Sequence, residues 1–126
     1  MDCKKILIVD DEKGFTSMLK LNLEAIGDFE VKVVNEANNA LMTAKQFLPD
    51  IILLDIIMPN KEGPDVAIEI RNEPSLKNIP IVFLTATITR DEVASQNGWI
   101  GGNIFVAKPS SLKELLASIE SSIGVR

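Results

Sequence analysis

The chain has 126 residues, 46% of them apolar and 25% charged, with a formal charge of −5 from 13 Lys plus Arg against 18 Asp plus Glu. That length makes one domain with a core large enough to need no staple, and the residue balance excludes disordered, collagen-like and low-complexity chains. The acidic balance argues against a nucleic-acid surface, the lack of histidine excludes any imidazole base, ligand or nucleophile, and the single cysteine, Cys3, leaves no internal disulfide.

The start, MDCKK, leads into only four apolar residues before two aspartates, which is no signal peptide. No apolar run approaches the ~20 residues of a membrane span. A cytoplasmic protein without membrane insertion is expected.

The first apolar run, residues 6–9, is short, continuous and rich in Ile and Val, as a strand buried on both faces would be. Phe15, Leu19, Leu23 and Ile26 then share one face of a helix that stops at Gly27. The run 31–34 alternates through Val31-Lys32-Val33, which suits an edge strand. Ala37, Ala40, Leu41, Ala44 and Leu48 mark a second helix ending before Pro49. A third strand, 51–54, precedes a third helix over about 64–72, with Val66, Ile70 and Ala67 inward and Pro64 in its first turn. A fourth strand falls in 79–84. A fourth helix is expected to begin near Thr89, as N-cap with Glu92 three residues on, and to run into Gly98. Gly101-Gly102 turns into a fifth strand, 104–107. Leu112, Leu115, Leu116, Ile119 and Ile123 stripe a fifth helix, capped by Ser110 or Ser111. Trp99 reads as packing at the end of helix four, and Met18, Met42 and Met58 as gap-filling apolar residues. Five β-α units in this order favour an α/β fold, a doubly wound parallel sheet with helices on both faces.

In such folds ligands sit beyond the carboxyl ends of the strands. Strand one ends in Asp10-Asp11-Glu12, strand three in Asp55, strand four in Thr85-Ala86-Thr87 and strand five in Lys108-Pro109, while strand two offers Asn35 and Glu36. Carboxylates crowded at one edge repel, so a proton or a cation must sit among them, and a hard divalent ion such as Mg²⁺ suits an all-oxygen site. The plainer reading makes Asp10 and Asp11 caps of the first helix, but capping leaves Asp55, on another strand, unexplained. Lys108 reads either as a solvated lysine or as an ammonium fixed by its proline to hold a phosphoryl oxygen. Thr85 is either a β-favouring residue or a hydroxyl beside the same oxygen.

Taken together, ILIVDDE, LLDIIMPNKEG, VFLTAT and IFVAKP resemble, in order and over essentially the whole chain, the receiver (phosphoacceptor) domain of two-component response regulators. The resemblance implies a receiver domain over residues 4–124, with the flavodoxin-like five-stranded parallel sheet in strand order 2-1-3-4-5 and five helices. It makes Asp55 the phosphoacceptor. Mg²⁺ would be ligated by Asp11, by Asp10 mainly through water, by Asp55 and by the backbone carbonyl of Ile57. Lys108 and Thr85 would hold the phosphoryl group. Thr85 and Phe105 would form the switch, with Phe105 lacking the hydroxyl of the tyrosine often found there. Helix four, strand five and helix five would form the surface that responds. Ile57 and Thr87, two residues after Asp55 and Thr85, would set the dephosphorylation rate.

The implied partners are a sensor histidine kinase or phosphotransfer protein, a downstream protein target or fused output domain, and a homodimer formed on phosphorylation. No direct nucleic-acid contact is implied, nor is the domain an enzyme beyond assisting its own phosphorylation and dephosphorylation. Two rivals are a Mg²⁺-dependent aspartyl phosphohydrolase and a phosphorylation-independent pseudo-receiver. The first expects a second Asp where Ile57 stands, and the second expects loss of an acid or the lysine.

Overall fold

The computed structural model describes residues 3–85, 99–100, 103–107 and 112–123. Among the described residues six strands form one sheet in the order β2-β1-β3-β4-β6-β5. They are β1 (Lys4–Val9), β2 (Phe29–Val34), β3 (Ile51–Asp55), β4 (Ile81–Thr85), β5 (Trp99–Ile100) and β6 (Asn103–Ala107). β2, β1, β3, β4 and β6 run parallel, and β5 pairs antiparallel with β6 at the far edge. The described helices are α1 (Lys13–Ile26), α2 (Ala40–Phe47), α3 (Gly63–Arg71) and α4 (Leu112–Ile123).

The apolar runs at 6–9 and 51–54 are the inner strands β1 and β3, and every side chain from Ile6 to Val9 and from Ile51 to Leu54 is fully buried. Their alternation divides the core. Ile6, Ile8, Ile51 and Leu53 pack with Leu19 and Leu23 of α1 and Leu115 and Ile119 of α4. Leu7, Val9, Ile52 and Leu54 pack with Ala40 and Ala44 of α2 and Val66 and Ile70 of α3. A strand that feeds two cores has no polar position to spare, hence its unbroken hydrophobicity. Each such Ile or Leu contributes ~1.5–3 kcal/mol when fully buried.

Several expectations need correction. Trp99 is not the end of a helix: it opens the short strand β5, and Trp99 stands opposite Ile104 in register. The predicted fifth strand is therefore β6, inside the sheet rather than at its edge. The predicted fourth helix near 89–98 lies outside the described residues, as do the capping serines 110 and 111. The second helix begins as a 3-10 turn, Ala37–Asn39, and Leu48 is an exposed residue at φ 52 that ends α2 rather than part of its stripe. Ile26 is likewise exposed on the last turn of α1, where Gly27 turns the chain at φ 99. Of the methionines, Met58 is buried as expected, but Met18 and Met42 are exposed. The edge position of β2 and its alternating burial follow the Val31-Lys32-Val33 pattern. No described helix is long and apolar enough to cross a membrane.

Candidate metal centre

β1 ends at Val9, paired with Leu54 of β3, so the next residues along the two strands, Asp10 and Asp55, stand side by side at the carboxyl edge. Asp10 is fully buried, Asp55 is 6% exposed and Asp11 is half-buried. One carboxylate oxygen from each of Asp10, Asp11 and Asp55 lies within 4.8 Å of the others. Two unit charges at that distance repel by about 3 kcal/mol at an effective dielectric constant of ~20. The donor set is oxygen only and negatively charged, which fits a hard cation of the Mg²⁺ class and fits a thiophilic ion poorly.

The turn from β1 into α1 is built around Asp10. Its Oδ1 accepts the Glu12 N–H at 2.9 Å, and its N–H donates to the Val34 carbonyl at 3.0 Å. Glu12 occupies the N-cap of α1 without a side-chain capping bond, and Asp10, two residues earlier, organises the turn without being the cap. Asn35 locks the arrangement from the end of β2. Its Nδ2 donates to the Asp10 carbonyl at 2.7 Å and to Thr16 Oγ1 at 3.0 Å, and Thr16 Oγ1 donates to the Lys13 carbonyl at 3.1 Å. Sequence reasoning noted Asn35 only as a polar strand end, and its pairing with a main-chain group across strands leaves no sequence signal.

Behind Asp55 the chain is held by Gly63, whose N–H donates to the Ile56 carbonyl at 2.7 Å. A Cβ built on Gly63 would overlap the Asp55 carbonyl oxygen and lie 2.9 Å from the Ile56 Cα. Gly63 is thus required for close approach rather than for conformational freedom. Between them, Asn60 adopts φ 74, which asparagine tolerates, and Met58 is buried. The Ile57 side chain is 56% exposed beside the acids.

The other expected residues divide into two groups. Thr85 ends β4 at this same edge, in register with Ala107, and Phe105 lies opposite Phe83. Lys108 and Thr87 lie outside the described residues.

The arrangement has Asn35 as its keystone. Replacing Asn35 with Ala removes the side-chain donor to the buried Asp10 carbonyl and the bond that Thr16 Oγ1 accepts, while Thr16 keeps its own bond to the Lys13 carbonyl, at a cost of about 1–3 kcal/mol. Urea unfolding should show that loss, and Mg²⁺ titration should show weaker binding as the Asp10-Asp11 turn loosens.

Comparison with known proteins agrees with this geometry. Residues 6–120 match the response regulator receiver domain family. The chain is similar in structure to a candidate response regulator from Chloroflexus aurantiacus, with 29% identity, TM-score 0.82 and coverage of 98% of this chain and 99% of that one. It is also similar to the chemotaxis protein CheY4 of Vibrio cholerae, at 25% identity, TM-score 0.81 and coverage of 95% and 98%. A signal receiver domain of a signal transduction histidine kinase from Syntrophus aciditrophicus matches at 26% identity and TM-score 0.78, covering 98% and 93%. A flavodoxin-like parallel sheet with a triad of acids at its carboxyl edge, matched over nearly its whole length, makes this chain a member of the response regulator receiver domain family of two-component systems.

Proposed function

We propose that the chain accepts a phosphoryl group on Asp55 from the phosphohistidine of a sensor kinase or phosphotransfer protein, with Mg²⁺ held by Asp10, Asp11, Asp55 and the Ile57 carbonyl. The observation that carries this reading is the convergence of three carboxylates, from two inner strands, within 4.8 Å at the edge of a receiver fold. An Asp55 carboxylate oxygen forms the new O–P bond as the N–P bond of the donor breaks, and the electron pair of that bond returns to the donor imidazole. Bound Mg²⁺ supplies positive charge to the phosphoryl oxygens and to the acids. Asp10 and Asp11 would hold the cation, with the Asp10 carboxylate itself oriented by the Glu12 N–H in the turn after β1. The buried backbone around Asp55 keeps the nucleophile from swinging away. Lys108 pairs with the phosphoryl group, and Thr85 donates its hydroxyl to it.

The product dianion is a local charge change that biases a two-state element. Thr85 moves toward it and Phe105 turns into the space released, altering the surface made by the segment 86–98, β6 and α4. A downstream protein or output domain reads that surface, and a homodimer is one form the readout takes. The test is intact-mass measurement after incubation with acetyl phosphate. One phosphoryl group should be added with Mg²⁺ and none with chelator. Trp99 fluorescence should change with it. Absence of any labelling in Mg²⁺ would identify a binding module that works without phosphate.

The lifetime of the acyl phosphate should be long. Hydrolysis needs a water held in line with the phosphorus, and Ile57 offers that water no polar group. Thr87, at the second flanking position, carries neither carboxylate nor amide. Ile57→Asn and Thr87→Glu should each speed phosphate loss roughly tenfold by positioning the water. Equal decay in all three proteins would show that these positions do not set the rate.

A further inference from the structure

β2 is an outer strand, and among the described residues one of its two rows of backbone groups has no neighbouring strand. The Asp28 and Val34 carbonyls accept N–H groups of Lys4 and Asp10, so the even-numbered residues turn toward β1. By alternation Phe29, Val31 and Val33 turn their N–H and C=O groups to the open edge. At the centre of that edge two side chains of α1 occupy the strand's hydrogen bonds. Glu24 Oε2 accepts the Val31 N–H at 3.0 Å, and Lys20 Nζ donates to the Val31 carbonyl at 2.9 Å. The two side chains also bond each other at 3.0 Å. The Val31 N–H, and after it Lys20, hold the Glu24 carboxyl below its ordinary range. A salt bridge one turn apart on a helix needs no strand to complete it. This one reaches past the helix to take the donor and the acceptor that a further strand would use.

We propose that β2 is a pairing edge for a second copy of this chain, held shut by Lys20 and Glu24. When the clasp leaves Val31, two β2 strands join antiparallel about a twofold axis, with Val31 opposite Val31. The register follows from charge. Centring on Val31 sets Glu30 opposite Lys32 and Lys32 opposite Glu30, in the closer, non-hydrogen-bonded pairs. Both side chains are exposed and on the face of the strand away from α1. Phe29 then faces Val33 in both directions. A shift by two residues one way sets Lys32 against Lys32, and the other way gives Lys32 to Asp28, just before the strand, but sets Glu30 against Glu30 at the centre. The twofold axis places both copies of α1 on one face, and exposed Leu21, one turn before Glu24, is on the flank that the second α1 approaches. Clasp and pairing exclude each other because they use the same N–H and C=O of Val31. The inference is independent of phosphoryl transfer.

Sedimentation of the whole chain in reducing buffer, which silences exposed Cys3, tests it. Lys20→Ala with Glu24→Ala should strengthen self-association about tenfold or more over the unaltered chain, since the edge is freed. Adding Glu30→Lys sets lysine against lysine at both ends of the pair and should reverse most of that gain. Adding Lys32→Glu as well restores opposite charges and should recover it. Circular dichroism checks that each variant is folded. Should the double variant misfold, Glu24→Gln and Lys20→Met carry the test, with a smaller shift in the same direction. Folded clasp variants no more associated than the unaltered chain would overturn the proposal, as would a dimer indifferent to the Glu30 and Lys32 exchanges.

Discussion

The chain carrying Asp55→Asn is expected to take up no phosphoryl group from acetyl phosphate and Mg²⁺, conditions that by the proposal above should label the unaltered chain once. The substitution keeps the volume of a side chain that is almost wholly buried, so the packing around it survives. What it removes is the anionic oxygen, and a neutral amide is a far weaker nucleophile. The same substitution has a second, opposite consequence. It deletes one of three mutually repelling charges, each pair of which costs about 3 kcal/mol without a cation. In chelator the variant should therefore be more stable than the unaltered chain, by about 1 kcal/mol or more after screening. Thermal unfolding with and without Mg²⁺ measures this, and the gain should vanish when the metal is present. Labelling of Asp55→Asn at the normal rate would remove Asp55 from its proposed role.

Gly63→Ala should be the most damaging single methyl that can be added near the site. Its Cβ would meet backbone atoms of Asp55 and Ile56, which cannot rotate away as a side chain would. Either α3 or the end of β3 must shift, at a cost of about 3 kcal/mol, near the upper end for overpacking. If β3 yields, Asp55 moves and phosphoryl uptake slows as well. Gly14→Ala is the control. Gly14 is in α1 with nothing within 4 Å of its added Cβ, so helix propensity alone applies and the variant gains roughly 0.5–1 kcal/mol. Urea unfolding of the two variants should move in opposite directions. A neutral Gly63→Ala would mean that the close approach to Asp55 relaxes at no cost.

The features legible in the residues were those with a strong one-dimensional signal. Continuous apolar runs at 6–9 and 51–54 marked the strands with two buried faces, and the acids directly after them foretold the carboxylate cluster, because a parallel sheet puts all its carboxyl ends together. Val31-Lys32-Val33 announced an edge. Harder to read were contacts that join distant parts of the chain through the backbone. The Asn35 bond to the Asp10 carbonyl, the seating of Gly63 on Asp55 and the reach of Lys20 to Val31 all depend on where a main-chain atom lies, which no residue type reveals. Trp99-Ile100 misled for a related reason. Two apolar residues before a pair of glycines fit a helix end as well as a strand, and only pairing with Asn103–Ala107 decides between them. Met18 and Met42 misled because side-chain type does not say which way a helix is turned.

The placement of Asp10 and Asp55 on β1 and β3 has a consequence in the time domain. Amide protons exchange with solvent through local opening, and the last to open are groups bonded on both sides within a dry core. β1 and β3 meet that description, each having a strand on either side and helices over both faces. Their amides should be among the slowest of the described residues to take up deuterium, outlasting those of β2. Two of the three acids thus follow or end strands of the slow-breathing part of the sheet. Excursions that loosen the periphery for milliseconds would pass without disturbing the spacing on which the chemistry depends.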